Sequence, residues 1–230
     1  MFNVPWDFTA IPRYFPGFYA AALLTIQITV LGILLGLVLG LITGLMRLSP
    51  VKIINIPSKI YIWMIRGTPL LLQLMIIYYG LIDLVNVSRM PAAIIGLGVH
   101  NGAYIAEIFR GAIQSVDRGQ REAALTLGMT QSQAMRRIIL PQAFKRSIPP
   151  LGNQFIIALK DSSLASAIAV RELLLRARQM GSSTLMMLEM LIIVGIYYLA
   201  MTTILTIIMG RIEKRLQVSD YRDEEGDELT

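Results

Sequence analysis

Hydrophobic positions along this chain fall into long unbroken runs rather than into the period-two alternation of half-buried strands or the narrow stripes of small amphipathic helices. Between Arg13 and Arg47 there is no Asp, Glu, Lys or Arg, and Ala20 to Met46 is an uncharged, predominantly apolar block. A second such run, Met190 to Gly210, is uncharged and closes on Arg211, Lys214 and Arg215. A hydrocarbon layer about 30 Å thick is crossed by roughly 20 helical residues, so both runs predict membrane-spanning helices. The first is too long, and lacks the cleavage pattern, to read as a removed signal peptide.

Three intermediate blocks have spanning length but carry polar groups. Ile60 to Ile82 holds Arg66, Gly67 and Pro69; Met90 to Phe109 holds His100, Asn101 and Glu107; Ser147 to Val170 holds Pro149, Pro150, Lys160 and Asp161. Polar groups and broken backbone are tolerated in a bilayer where they face protein or a cavity. The pattern therefore predicts one all-α membrane domain over 1–230 with five spans, at about 20–46, 60–82, 90–109, 147–170 and 188–210. A polar loop over 115–146 and an acidic tail over 220–230 complete it. With the amino terminus outside, Arg47, Lys52, Lys59, the loop basics from Arg110 to Arg146, and Arg211 to Arg222 all lie inside, which is the favoured sense of Lys/Arg asymmetry. Arg171, Arg176 and Arg178 run against it locally.

Composition supports the pattern: 55% of residues are hydrophobic and 16% charged, too little polar surface for a soluble globule. The formal charge of +6 then records topology rather than affinity for nucleic acid. With no cysteine and one histidine, thiol chemistry, zinc-thiolate sites and histidine-based metal or triad centres are not expected, and neither a catalytic nor a metal site is assigned.

The 115–146 loop has local order of its own. Gln120 to Leu127 is built of good helix formers and ends at Gly128, which can adopt the left-handed terminal conformation. Thr130 and Gln133 have capping-box spacing for a second helix, expected to stop at Leu140 before Pro141. Ala123 and Ala124 offer a small-residue face, compatible with a plain surface hairpin or with close docking of another surface.

Glu122-Ala123-Ala124, Gly128 and Ile138-x-Leu140-Pro141 match, position for position, the EAA-x3-G-x9-I-x-LP element of permease subunits of bacterial ABC importers. The segments Arg66-Gly67-Thr68-Pro69-Leu70, Gly102 to Gly111 and Leu159 to Leu164 resemble the polar amino-acid, histidine/glutamine-type branch, over about residues 15 to 215. Asp117 and Arg121 depart mildly from it. The resemblance implies a type I importer permease in the bacterial inner membrane, paired with a second permease chain, itself or a homologue. Its partners would be an ATP-binding subunit dimer carrying ATP and Mg, and an extracytoplasmic substrate-binding protein. Glu122, Ala123, Ala124 and Gly128 would form the ATPase coupling element; this chain itself holds no phosphate-loop sequence, would be non-catalytic and would need no cofactor.

Ionisable groups inside a membrane are functional candidates. Arg66, Glu107, Asp161 and Glu189 qualify. An amino-acid substrate needs an acceptor for its ammonium and donors for its carboxylate. Arg66, Gly67, Thr68, Asn101, Tyr104, Glu107, Asp161, Ser162 and Ser163 are accordingly expected to bind substrate, with Glu107 and Asp161 together favouring a cationic one. Each has a structural counter-reading: Arg66 can snorkel to headgroups, Glu107 can pair with Arg110, and Lys160 can neutralise Asp161. Glu189 reads as interfacial and His100 as packing. A self-contained secondary transporter or channel using Glu107 and Asp161 is the competing function.

Overall fold

The computed structural model describes residues 6–81, 84 and 86–215; the acidic tail expected at 220–230 lies outside them. Every regular element among them is helical. In chain order these are α1 Ala10–Tyr14, a 3-10 turn Phe15–Phe18, α2 Tyr19–Leu48, α3 Lys52–Arg66, α4 Leu70–Met75 and a π turn Ile76–Gly80. There follow α5 Arg89–Gln114, α6 Arg118–Thr126, α7 Gln131–Ala134, a π turn Met135–Ile139, α8 Leu140–Asp161 and a 3-10 turn Ser162–Ile168. The described chain closes with α9 Leu173–Thr184 and α10 Met187–Arg215.

Among the described residues, three helices are long and apolar enough to cross a membrane: the one containing α2, then α5, then α10. The pair Lys52–Arg66 and Leu70–Gly80 is long and apolar enough only when taken together and is bent by 104° at its break, the geometry of a broken span or of a re-entrant loop. The 60–82 block is thus a broken element rather than one rod. Pro69 has an extended ψ of 138° and no N–H to continue α3. The α8 region, expected as a span over 147–170, is helical to Asp161 and finishes as a 3-10 turn; its charged amino-terminal turns make it more polar than the others.

The centre of the fold is the packing of α2 on α5. Gly32, Gly36, Gly40 and Gly44 recur every four residues along α2 and form one ridge, which lets the two backbones approach closely, as small residues do between membrane helices. A Cβ at Gly40 would lie 2.6 Å from Ile105, and one at Gly98 of α5 would lie 2.6 Å from Leu35. Helix α8 runs antiparallel to α5: Gln154 Nε2 donates to Asn101 Oδ1 at 2.8 Å, while Ala112 and Val116 pack with Ile139 and Ala143 at the loop end. At the opposite end, Phe18, Ala21 and Ala22 pack with Leu173, Ala177, Met190 and Ile193, joining α2, α9 and α10. The outward faces of α2 and α10 expose Leu34, Val38, Leu45, Leu199 and Ile204, the surface a bilayer would solvate.

Two expectations about elements need correction. The second loop helix does not stop at Leu140. The chain is helical from Gln131 to Asp161, because the π turn Met135–Ile139 widens the backbone just before Pro141 and makes room for its ring. The Arg171–Arg178 stretch, expected as an outer loop, is largely the helix α9, with Glu172 as its amino-terminal cap.

Candidate functional site

Three helices meet at Glu107. Arg110, one turn further along α5, donates to Glu107 Oε2 from Nη2 at 2.7 Å and from Nε at 3.0 Å. Arg47, in the last turn of α2, holds its Nε 3.6 Å from Oε1, and Arg66, the last residue of α3, holds Nη1 3.9 Å from Oε2. One carboxylate is thus shared by three guanidiniums from three helices, and the pairing with Arg110 is realised. Arg66 also lies over the Tyr104 ring, 5.2 Å from its centroid, a cation–π contact. It turns back onto α5 rather than only reaching for headgroups.

Immediately beside this cluster, Gln73 holds the broken helix together. Its Nε2 donates to Ile65 O at 2.8 Å, to Thr68 O at 3.1 Å and to Thr68 Oγ1 at 2.9 Å, satisfying carbonyls that the break leaves without helical partners. Its Oε1 is 3.1 Å from His100 Nδ1. Because the amide nitrogen is committed to acceptors, Oε1 must accept, and the imidazole proton sits on Nδ1. His100 in turn packs on Tyr104, ring centroids 5.0 Å apart. The stripe of α5 facing the break is therefore His100, Tyr104 and Glu107. Asn101, expected beside Tyr104 and Glu107, is fully buried and faces α8 instead, bonded to Gln154 and to Leu97 O.

Glu107 and Asp161 do not share a site. Measured from the Asn101–Gln154 contact, Glu107 lies six residues toward the loop end of α5, and Asp161 seven residues toward the other end of the antiparallel α8. At 1.5 Å per residue the two carboxyls are separated by about 20 Å along the bundle. Asp161 is half-buried, and among the described residues it forms no ion pair with Lys160, whose side chain is exposed. Ser162 and Ser163 donate to Leu159 O and Lys160 O, both at 2.7 Å, so toward a ligand their hydroxyls can only accept. Gly67 and Thr68 are exposed at the bend, and Thr68 donates to Met64 O at 2.9 Å. An open, almost wholly apolar cleft of about 640 Å³ lies in the crook of that bend, lined by Trp63, Met64, Leu72, Ile76, Ile95 and Val99. Glu189, read as interfacial, is buried and accepts the Asp7 backbone N–H at 2.9 Å, tying the amino-terminal segment to α10.

The loop end carries the second set of expected residues. Helix α6 terminates at Gly128, φ +83°, with Gly128 N–H donating to Leu125 O and Met129 N–H to Ala124 O, the paired bonds of a Schellman ending. Thr130 and Gln133 then form both arms of the capping box. Of the two alanines, Ala123 is exposed and Ala124 is buried within the hairpin, so the expected small face is half internal packing. Glu122, Ala123, Leu127 and Gly128 stand exposed together; Leu127 retains 81% of its accessible surface.

Arg47, Gln73 and Arg110 are participants that the sequence reading did not assign to the site. Arg110 was readable from i,i+3 spacing; Arg47 and Gln73 arrive through tertiary contacts between helices that no local spacing announces.

Comparison with known proteins places this arrangement. Residues 32–218 match the model of the family described as binding-protein-dependent transport system inner membrane component. The chain is 39% identical to the probable amino-acid permease protein YxeN of Bacillus subtilis (strain 168), over 94% of this chain and 97% of that one. It is also 39% identical to the glutamine transport system permease protein GlnP of Escherichia coli (strain K12), over 93% and 99%. A chain from the crystal structure of an amino acid ABC transporter with histidines superposes with a TM-score of 0.88 at 40% identity, covering 91% of this chain and 98% of that one. The protein is therefore a multi-pass inner-membrane component of a binding-protein-dependent transport system, a member of the ABC importer permease family.

Proposed function

We propose that the chain is the membrane-spanning permease subunit of an ATP-driven amino-acid importer, lining the path of a polar amino acid and coupled to a separate ATPase. The observation that supports this most is the EAA hairpin: a Schellman ending and a capping box order it independently of any partner, and it presents Glu122, Ala123, Leu127 and Gly128 outward. In this reading the chain has five crossings, counting the broken pair α3–α4 and the α8 region. The amino terminus is outside, the loop and the carboxyl terminus are cytoplasmic, and two permease chains pair. ATP and Mg belong to the ATPase subunits, which work with an extracytoplasmic binding protein. Glu107, matched by three arginines, is poorly disposed to receive an ammonium or to carry cations, so the channel reading loses one of its two acids. The case for a cationic substrate rests on Asp161, with Ser162, Ser163, Thr68 and Gly67 nearby in sequence to it or at the bend.

The test is uptake by the reconstituted importer, permease with ATPase and binding protein, in proteoliposomes. ATP-dependent uptake of an amino acid supports the reading, and uptake that proceeds without the ATPase chain sinks it. Within that assay Asp161→Asn is expected to lower arginine uptake more than glutamine uptake; equal, unchanged uptake of both removes Asp161 from the path.

A further inference from the structure

Glu172 stands between the last expected spans, at the end of the bundle opposite the EAA hairpin, and its side chain is fully buried. Its oxygens accept three donors. Leu174 N–H binds Oε2 and Leu175 N–H binds Oε1, both at 2.8 Å, and the Tyr198 hydroxyl of α10 reaches Oε2 at 3.3 Å. The next residue, Leu173, donates its N–H to Thr25 Oγ1 of α2 at 3.3 Å. The Tyr198 hydroxyl is also within side-chain hydrogen-bonding reach of Thr25 and of Ser162. Glu172 thus joins α9 to α10, while Leu173 and Tyr198 beside it reach α2 and the turn after α8.

The protons in this cluster are constrained. Thr25 donates to Ala21 O at 2.9 Å and Ser162 to Leu159 O, so toward Tyr198 both hydroxyls act as acceptors. The phenolic proton has three acceptors to choose from, and an ionised Glu172 is the strongest, since hydrogen bonds to charged groups exceed neutral ones. Protonating Glu172 removes that preference. The protonated acid becomes a donor itself, so the Tyr198 contact reverses, the phenolic proton turns to Thr25 or Ser162, and the charge-assisted bond between α9 and α10 gives way to a weaker neutral one.

We propose that Glu172 is a positioning residue for transport: when ionised it clasps α9 to α10 through Tyr198, and when protonated it loosens that clasp and hands the phenolic proton to Thr25 of α2 or to Ser162.

Two further observations fit a segment that moves as a unit. The stretch containing Glu172 and α9 is bounded by Ala169 and Leu185, both non-glycine residues at φ 59°, and such strained positions collect at hinges and switches. The clasp also adjoins Asp161 through the turn beginning at Ser162, so its release changes the surroundings of a candidate substrate residue. Burial pushes the Glu172 carboxyl up to about 7, against the opposing effect of its three hydrogen bonds, which puts the change within the range a cell exterior experiences. Tyr198 is the titratable group that faces it from α10, and α2 and the Ser162 turn contribute hydroxyls. Arg171 and Arg176 of its own segment make no ion pair with it among the described residues.

The experiment uses the complete importer in proteoliposomes, with the ATPase side buffered and the binding-protein side varied between pH 6 and 8. Wild type is expected to show a step in turnover with a midpoint near 7, faster on the acid side, with KM for the loaded binding protein unchanged. Glu172→Gln mimics the protonated acid, so at pH 8 it is expected to turn over as wild type does at pH 6, with no step. A wild type without a step, or a Glu172→Gln importer that keeps it, overturns the proposal. Should the variant fail to assemble, hydrogen exchange on wild type decides. Leu174 and Leu175 amides are expected to gain exchange between pH 8 and pH 6 beyond the intrinsic chemical change, and no gain overturns the proposal. The uptake arm rests on the importer reading and the exchange arm does not. Exchange that responds to pH without any amino-acid uptake supports the clasp while counting against the transported substrate.

Discussion

Leu185 adopts φ 59°, where its Cβ crowds the following carbonyl at a cost of about 1–2 kcal/mol, and its side chain is 79% exposed, so little packing offsets that cost. Leu185→Gly is therefore expected to stabilise the detergent-solubilised protein by about 0.5–1 kcal/mol, read as a rise of a few degrees in Tm; a fall would show that Leu185 is held by contacts its exposure does not reveal. Gln73 is the opposite case. Its amide serves the backbone of the α3–α4 break and the His100 ring at once. Gln73→Leu leaves those groups without partners, and about 1–3 kcal/mol of destabilisation is expected from unsatisfied buried groups. Glu at this position should rescue the His100 contact but not the Thr68 one, because a carboxylate accepts and does not donate.

Among the elements, α6 and the α2–α5 pair make contrasting use of glycine. Gly128 has no heavy atom near a would-be Cβ, so the position demands glycine for its left-handed backbone and not for space. Gly128→Ala is expected to fray the end of α6 by about 1 kcal/mol, lowering transport-coupled ATP hydrolysis, while Gly128→Asn, which tolerates this conformation, keeps more of it. A bulky substituent that left hydrolysis and uptake normally coupled would detach the hairpin from that role. Gly40 demands space. Gly40→Ala drives a Cβ into Ile105, and overpacking costs of about 1–3 kcal/mol are expected in a thermal melt, whereas Gly111→Ala, with open space around it, should be silent.

For the whole molecule, the absence of cysteine gives a clean background for mapping sides. Single substitutions Leu127→Cys and Leu185→Cys, both at exposed positions, are expected to react with an impermeant thiol reagent from opposite faces of the membrane, Leu127 from the cytoplasm. Labelling of both from one face would refute the five-crossing topology. The helices α2, α5 and α10 were legible because burial in lipid writes a long apolar run into the sequence, and the hairpin was legible because caps are local chemistry. The four-residue glycine ridge of α2 was written just as plainly and went unread. What the sequence reading could not supply is register between helices. It grouped Glu107 with Asp161 because both are acids in apolar surroundings, and only the pairing of Asn101 with Gln154 shows them at opposite ends. Glu172 escaped notice for a related reason: beside Arg171 it looks like one more surface charge, and its burial comes from α2 and α10, far away along the chain.

The π turn at Met135–Ile139 has a mechanical consequence. By accommodating Pro141 it leaves the chain helical from Gln131 to Asp161, a rod of about 45 Å at 1.5 Å per residue. A push on the hairpin can then travel axially, arriving at Asp161 as displacement rather than being absorbed as slack. The widened turn and the Pro149–Pro150 pair inside α8 both interrupt the hydrogen-bond ladder of the rod, so these are the places where part of the stroke is lost as bending.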